Sequence, residues 1–143
     1  MNNQNVKPAE GKLGVMVVGL GAVTSTFMTG VLMARKGLTK PVGSMTQYDK
    51  IRVGRGADKK YLPYSEIVPL ASLDDIVFGA WDVYPADAYR SAMYCEVLKE
   101  KDINPVKDEL ENIVPMKAAF DKNFAKRLDG DNVKECRTRW EMV

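Results

Sequence analysis

Residues 13–37, LGVMVVGLGAVTSTFMTGVLMARKG, decide how this chain folds. The apolar and β-branched run VMVV predicts a strand that is buried on both faces. Gly19 and Gly21 follow it as a Gly-x-Gly turn, and small and hydroxylated residues then open a predicted helix over residues 24–36, which Gly37 stops. A strand, a glycine turn and a helix in this order predict an α/β fold.

The same turn predicts a phosphate-binding site. Backbone N–H groups at the start of a helix and the positive end of its dipole converge on one spot, which suits a phosphate. The dinucleotide fingerprint has a third glycine where this chain has Thr24, so the match is partial. The hydroxyls of Ser25 and Thr26 could compensate by capping the helix or by donating to a phosphate oxygen. The alternative is a buried strand and a tight turn that bind no ligand.

Composition excludes several classes of protein. The 143 residues, 45% of them hydrophobic, suffice for one domain with its own core, and a net charge of +2 with scattered lysines and arginines gives no sign of a nucleic-acid partner. The chain has no histidine, which removes Ser–His and Cys–His nucleophiles and histidine-ligated metals, so we expect no metal site.

The cysteines and the apolar runs bear on location. Cys95 and Cys136 stand alone without CxxC spacing, which favours reduced thiols over a disulfide or a metal clip. No apolar run reaches the roughly 20 residues of a membrane span, and the first residues lack the apolar core of a signal peptide. We therefore expect a cytoplasmic protein with no membrane partner.

Two polar segments frame the glycine turn. Residues 1–12 predict a flexible lead-in, whereas residues 38–72 are rich in Gly, Pro and charge and are too long for an ordinary loop, which indicates a functional or interface role. A ribose-binding acid is expected about 20 residues after the glycines. The first acid after the turn is Asp49, which lies further along and does not end a clear strand.

A second apolar segment, residues 75–83, predicts another strand, and Asp82 lies at its carboxyl end. Ligands of doubly wound sheets lie outside the carboxyl ends of the strands, so Asp82 is well placed for a ribose hydroxyl. It could equally be the N-cap of the helix predicted over residues 86–101. The sequence leaves both roles open.

The last third predicts helices. Asn104-Pro105 is a suitable start for one, because a capping residue precedes a proline at the first helical position. Residues 120–128 are short and amphipathic, and residues 132–143 have helix-compatible spacing that stops in mid-pattern. This end resembles a chain that stops before its fold does.

Four stretches along the chain together resemble one family: VGLGAVTST at 18–26, GSMTQ at 43–47, FGAWD at 78–82, and VPM at 114–116 followed by Phe120, Asp121 and Phe124. They are similar to the glycine turn, the Gly-Ser-Leu-Thr-Gln block, the Gly-Gly-Trp-Asp block and the Lys-Pro-Met run of myo-inositol-1-phosphate synthases. The chain thus resembles the N-terminal, NAD-binding part of that family from residue 13 to about residue 126.

The resemblance implies both a fold and an activity. The fold is a Rossmann-like NAD-binding domain over residues 13–143, with a mostly parallel sheet that is incomplete without the rest of the family chain. The activity is the NAD-dependent isomerisation of D-glucose 6-phosphate to 1D-myo-inositol 3-phosphate, through oxidation, intramolecular aldol cyclisation and reduction. The family also implies a homotetramer. Its catalytic lysines belong to a part absent here, so no catalytic residue is expected in this chain.

The resemblance also implies the residues that contact NAD, namely Gly19, Gly21, Ala22, Val23, Thr24, Ser25, Asp82, Ala118 and Ala119. The turn is one residue shorter than the commoner family form and lacks its asparagines, so backbone groups and the hydroxyls after them must hold the pyrophosphate. Ala118 and Ala119 stand where the family has Ser-Ile, and only a backbone role beside the adenosine carries over to them.

Two other functions are compatible with these residues. One is a Rossmann-like module that binds a nucleotide and does no chemistry, which would suit the absence of histidine and of a clustered acid–base set. The other is a simple NAD-dependent dehydrogenase, which would accumulate NADH in proportion to its product.

Overall fold

The strand–turn–helix stretch folds as its pattern predicts. In the computed structural model, which describes residue 7 and residues 10–142, strand β1 spans Leu13–Val18 and helix α1 spans Ala22–Arg35. The helix begins two residues before the predicted start, and Lys36 is its C-cap. Gly37 follows with a φ of +67°, a left-handed backbone that glycine adopts without strain. Most of the predicted lead-in, residues 1–12, lies outside the described residues.

The long segment after α1 contains a hairpin that its composition did not indicate. Helix α2, Met45–Tyr48, precedes strands β2, Lys50–Val53, and β3, Lys60–Pro63, which pair antiparallel in a sheet of their own. Single 3-10 turns occur at Gly56–Asp58, Tyr64–Glu66 and Leu73–Asp75. Every residue of β2 is exposed, so the hairpin adds nothing to the core.

The second predicted strand is present, whereas the helix after it is shorter than predicted. Strand β4 spans Ile76–Asp82 and helix α3 spans Ala88–Cys95. The Asp87 carboxylate caps α3 by accepting a 2.8 Å hydrogen bond from Arg90 N. The helix cannot continue through Glu96, whose φ is +53°.

The remaining regular structure follows in short pieces. Helix α4 spans Glu100–Ile103, a 3-10 turn covers Asn104–Val106, and helix α5 spans Lys107–Glu111, so the predicted start at Asn104-Pro105 opens the 3-10 turn rather than an α-helix. Strand β5 is only Met116–Lys117.

Strands β1, β4 and β5 form one parallel sheet with β4 in the centre. Val18 pairs with Trp81, and Asp82 pairs with Lys117, so the carboxyl ends of all three strands meet at one edge. The fold is therefore α/β with a parallel sheet, as the sequence predicts.

Helices α1, α3 and α5 pack together against one face of this sheet. The core between them is apolar and consists of Leu20, Met28, Leu32, Ala80, Ala88, Ala92, Ile103, Val106 and Leu110. Side chains alternate along a strand, so the other face carries Met16, Val18, Val77 and Trp81. Within the described residues Val18 is 90% and Val77 50% exposed, so that face is largely bare.

The helix-compatible spacing of the last residues did not predict a helix correctly. Residues 120–128 form turns, and residues 132–142 contain only a bridge from Val133 to Ala118 and a 3-10 turn at Arg139–Met142; residue 143 lies outside the described part. Phe124 and Trp140 are 95% and 90% exposed. Short helices depend on packing their apolar face, and these side chains have nothing to pack on. Among the described helices, none has the length and apolar character of a membrane span.

Candidate dinucleotide-binding site

The glycine turn lies at the carboxyl edge of the sheet and is held from both strands beside it. Gly19 has a φ of +95°, which a side chain rarely tolerates, and its N–H donates to Trp81 O at 2.7 Å. The Thr24 hydroxyl donates back across the turn to Gly19 O at 2.8 Å. Leu20 is buried in the core, so the turn is anchored at its middle residue.

The start of α1 supplies free hydrogen-bond donors. Gly21 is the N-cap, and Ser25 N to Gly21 O, at 2.9 Å, is the first bond of the helix. The N–H groups of residues 21–24 therefore have no partner within the helix, as at any helix start. No acidic residue occupies the first turn to compete for the dipole.

The space beside these donors suits a phosphate. A Cβ built on Gly19 or on Gly21 would meet no atom within 4 Å. Backbone N–H groups, a positive helix end and open space next to two glycines are the requirements of pyrophosphate binding. The residues present therefore fit a dinucleotide.

The hydroxyl groups after the turn differ in what they bond to. Ser25 is 1% exposed, and its hydroxyl donates to Ala22 O at 3.3 Å. Gly21 is the N-cap, and Ser25 and Thr26 lie inside α1, so neither of them is the capping residue. The Thr24 hydroxyl bonds within the turn. Donation from the Thr26 hydroxyl to a phosphate oxygen stays a prediction.

Asp82, the last residue of β4, lies next to the turn and accepts two backbone hydrogen bonds. Leu20 N donates to Oδ2 at 2.5 Å, and Tyr84 N donates to Oδ1 at 2.9 Å. The N-cap of α3 is Asp87, so the alternative that Asp82 caps that helix is wrong. Its position at the carboxyl end of the central strand is the one that a ribose contact requires.

A cleft of about 570 Å³ brings four of the predicted residues together, whereas Gly21 and the predicted residues of α1 do not line it. Gly19, Asp82, Ala118 and Ala119 all line it, with Val18 and Trp81 among their apolar neighbours. Ala118 follows β5 directly, which places it on the other side of the central strand from the glycine turn. Val23, in contrast, points outward with 85% exposure, so only its backbone faces the turn.

One residue that organises this cleft could not be predicted from the sequence. The side-chain amide of Asn132 donates to Asp82 O at 2.9 Å and to Met116 O at 3.2 Å, which joins the ends of β4 and β5. The surrounding Gly130-Asp131-Asn132 has the composition of an ordinary turn. A polar residue that bonds distant backbone shows no periodicity from which this role could be read.

Charges near the cleft are paired at its rim. Asp121 accepts a hydrogen bond from Asn123 N and forms an ion pair with Arg139 at 3.1 Å. The N–H of Asn123, followed by Arg139, lowers the pKa of the Asp121 carboxyl. This exposed carboxylate thus stays ionised next to the cleft at neutral pH.

Comparison with known proteins agrees with this geometry. Residues 13–143 match an NAD-binding domain family model described as myo-inositol-1-phosphate synthase. The chain belongs to the myo-inositol-1-phosphate synthase family. It carries the NAD-binding domain of that family, which makes NAD its cofactor.

Two curated members of the myo-inositol-1-phosphate synthase family show how much of it is present. Inositol-3-phosphate synthase 1 of Bacteroides thetaiotaomicron is 57% identical over 141 residues, which are 98% of this chain and 32% of that protein. Inositol-3-phosphate synthase isozyme 1 of Arabidopsis thaliana is 36% identical over 79% of this chain and 24% of its own length. The chain spans about a third or less of the length of these relatives.

A solved member of the myo-inositol-1-phosphate synthase family has the same fold. The crystal structure of inositol-3-phosphate synthase from Caenorhabditis elegans superposes with a TM-score of 0.77 at 22% identity, over 95% of this chain and 30% of that one. At this low sequence identity, the match shows that the two chains share the same fold.

Proposed function

We propose that this chain supplies the NAD-binding part of an enzyme that converts D-glucose 6-phosphate to 1D-myo-inositol 3-phosphate. The observation that carries the proposal is the glycine turn with its free N–H groups facing open space, in a chain 57% identical to an inositol-3-phosphate synthase. NAD, when bound, supplies the hydride acceptor for the oxidation and the hydride donor for the later reduction. The intramolecular aldol cyclisation falls between them.

The residues of this chain bind and orient rather than react. The N–H groups of Gly21, Ala22, Val23 and Thr24 donate to the pyrophosphate, and Gly19 lets it approach the backbone. Asp82 accepts from a ribose hydroxyl at the carboxyl end of β4. A fixed cofactor and a fixed sugar hold the reacting atoms together through all three steps, which is where binding energy contributes to rate.

Two other predicted contacts have different support. Ala118 and Ala119 line the cleft, and we assign their main chain to the adenosine side of the cofactor. The buried Ser25 hydroxyl faces Ala22 O, so we assign Ser25 to the packing of α1 rather than to direct contact with NAD.

Further proposals concern the whole protein. We propose that residues 13–143 are the first part of a Rossmann-like domain, that catalytic lysines belong to the remaining family length, and that the enzyme is a homotetramer. Free thiols at Cys95 and Cys136 suit a cytoplasmic protein that makes inositol for phospholipids.

The function is tested by supplying the full-length protein with glucose 6-phosphate and catalytic NAD. We expect inositol phosphate to form while absorbance at the NADH wavelength shows no net accumulation, because the hydride is returned to the ring ketone. NADH that grows in proportion to a ketone product would instead indicate a dehydrogenase. NAD binding without any product from the sugar would indicate a binding module.

Two matched glycine variants test the turn in the same assay. Gly21→Val places a branched side chain in the open space beside the free N–H groups, so NAD binding should fall at least tenfold. Gly30→Val places the same side chain on the exposed middle of α1, where a Cβ also meets nothing within 4 Å. Equal NAD affinity and equal activity in both variants would contradict the assignment of the turn.

A further inference from the structure

Asn132 bonds to the backbone on both sides of the cleft. Its side-chain amide donates to Asp82 O and Met116 O, and its own N–H donates to Val83 O at 2.8 Å. Its carbonyl accepts from Ala118 N at 2.9 Å. One residue thereby ties the end of β4 to β5 and to the first residue after it.

These bonds reach two residues that our proposed function places at the cofactor. Asp82 is on the central strand and Ala118 follows the edge strand, and the direct pairing between β4 and β5 is only two residues long. So short a ladder fixes the separation of the two walls poorly by itself. The Asn132 bonds extend that connection at the point where the cleft opens.

The backbone next to Asn132 is also held closely against β4. A Cβ on Gly130 would overlap Val83 O, so this loop approaches the end of the strand more closely than a side chain would allow. Close packing of Gly130 against Val83 thus places the loop at the end of β4 together with the Asn132 bonds.

We propose that Asn132 is a positioning residue for NAD, which sets the spacing between Asp82 and Ala118 without contacting the cofactor. The proposal rests on the proposed function of the cleft. Its chemistry requires an amide, because the acceptors around its nitrogen are all carbonyl oxygens, with Pro115 O at 3.5 Å beyond Asp82 O and Met116 O, and the side chain must donate to them. Aspartate, which has the same shape, would place a negatively charged carboxylate oxygen against the same carbonyl oxygens.

The test is a calorimetric titration of the full-length protein with NAD, which yields the dissociation constant and the number of binding sites separately. Asn132→Ala should raise the dissociation constant about tenfold with the number of sites unchanged, as expected for about 1.4 kcal/mol of lost alignment. Asn132→Asp should raise it further. A purely structural defect would instead lower the number of competent sites and leave the dissociation constant unchanged.

Asn112 provides the matched control, because its side-chain amide also donates to a carbonyl, Asp108 O at 2.8 Å, but at the end of α5 away from the cleft. Asn112→Ala should bind NAD as the unaltered protein does. Unchanged affinity in both Asn132 variants would overturn the positioning role. Failure of the unaltered protein to bind NAD would overturn the proposed function and this inference with it.

Hydrogen exchange in the unaltered protein keeps the proposal testable if the Asn132 variants do not fold. The amide of Ala118 donates to Asn132 O, so it should be protected without NAD and more strongly protected when NAD is added. Exchange of the Ala118 amide at the same rate with and without saturating NAD would overturn the proposal.

Discussion

Asp82 illustrates how a single side chain can hold two backbone segments in place at the end of a strand. One carboxylate oxygen accepts Leu20 N from the turn after β1, and the other accepts Tyr84 N from the segment after β4. Bonds from backbone N–H groups to an ionised acceptor are stronger than neutral ones. The carboxylate thus holds the turn in place and still has lone pairs for a ribose hydroxyl.

Replacement of Asp82 by asparagine should therefore weaken both the fold and the site. The amide has only one acceptor oxygen, so one of the two backbone N–H groups must face an NH₂ group. We expect the free energy of unfolding to fall by about 1–3 kcal/mol, the cost of an unsatisfied polar group. Thermal unfolding measures it, and Asp131→Asn on the exposed neighbouring loop is the matched control.

Ligand analogues separate the two roles of Asp82. If the carboxylate acted only on the ribose, Asp82→Asn would weaken NAD but not an analogue that lacks the adenosine ribose hydroxyls. We expect it to weaken the analogue as well, because the turn itself is disturbed. A variant with unchanged unfolding temperature and unchanged analogue binding would contradict this account.

The residues of this site differ in how far their positions can be predicted from the sequence. Gly19, Gly21 and Asp82 could be predicted, because a turn and a strand end fix their place whatever lies around them. The burial of the Ser25 hydroxyl depends on the rotation of α1 against its neighbours. Asn132 acts through backbone fifty positions away, which no local pattern encodes.

Helix α1 is held at its far end as well as at the turn. Lys36 Nζ lies 2.5 Å from Glu109 Oε1 and donates to Pro105 O at 2.8 Å, which joins α1 to α5 and to the 3-10 turn before it. Arg35 donates to Leu73 O in the 3-10 turn before β4 and to Ile76 O at the start of β4. The helix whose first N–H groups we assign to the pyrophosphate is therefore fixed to the sheet and to the helix layer.

The Lys36–Glu109 pair makes the stability of this helix contact depend on pH. The hydrogen bond from Lys36 lowers the pKa of the Glu109 carboxyl. A carboxyl whose pKa is lower in the folded state than in the unfolded state stabilises the fold at pH values above its unfolded-state pKa. That stabilisation is lost as the pH falls through its folded-state pKa. Glu109→Gln should cost about 0.5 kcal/mol at pH 7, because the pair is partly exposed.

Chemical denaturation across the acid range measures this contribution. The difference in the free energy of unfolding between Glu109→Gln and the unaltered protein should shrink as the pH falls below the pKa of an ordinary glutamate. Glu135→Gln, on an exposed residue near the end of the chain, should show no such difference. A difference in unfolding free energy that stays constant down to strongly acid pH would exclude the ion pair as its cause.

Elements differ in predictability for a physical reason. Strands β1 and β4 and helix α1 are long enough for their apolar spacing to show, and each was predicted close to its bounds. Strand β5 has two residues and exists because β4 offers it an edge. The tail pattern predicted a helix wrongly, because spacing alone does not supply a surface to bury Trp140.

At the scale of the molecule, the sheet has one covered face and one bare face. The helices cover the face of Val17 and Ala80, whereas Met16, Val18 and Val77 point away from them. Adjacent apolar side chains form a contiguous patch, and such patches bind apolar partners. Apolar side chains that are exposed singly do not. The bare face of the sheet is therefore a contiguous exposed apolar surface.

The dye ANS, which fluoresces on contiguous apolar surface, distinguishes this patch from isolated exposure. The 143-residue chain should bind it, and Val77→Thr should lower the fluorescence, because it places a hydroxyl on the bare face while keeping a β-branched strand former. Val23→Thr is the matched control, since Val23 is 85% exposed, more than Val77 at 50%, but lies on α1 away from that face. If exposure alone mattered, the Val23 variant would show the larger loss of fluorescence. We expect the Val77 variant to show it, because the patch depends on neighbours rather than on the area of one side chain.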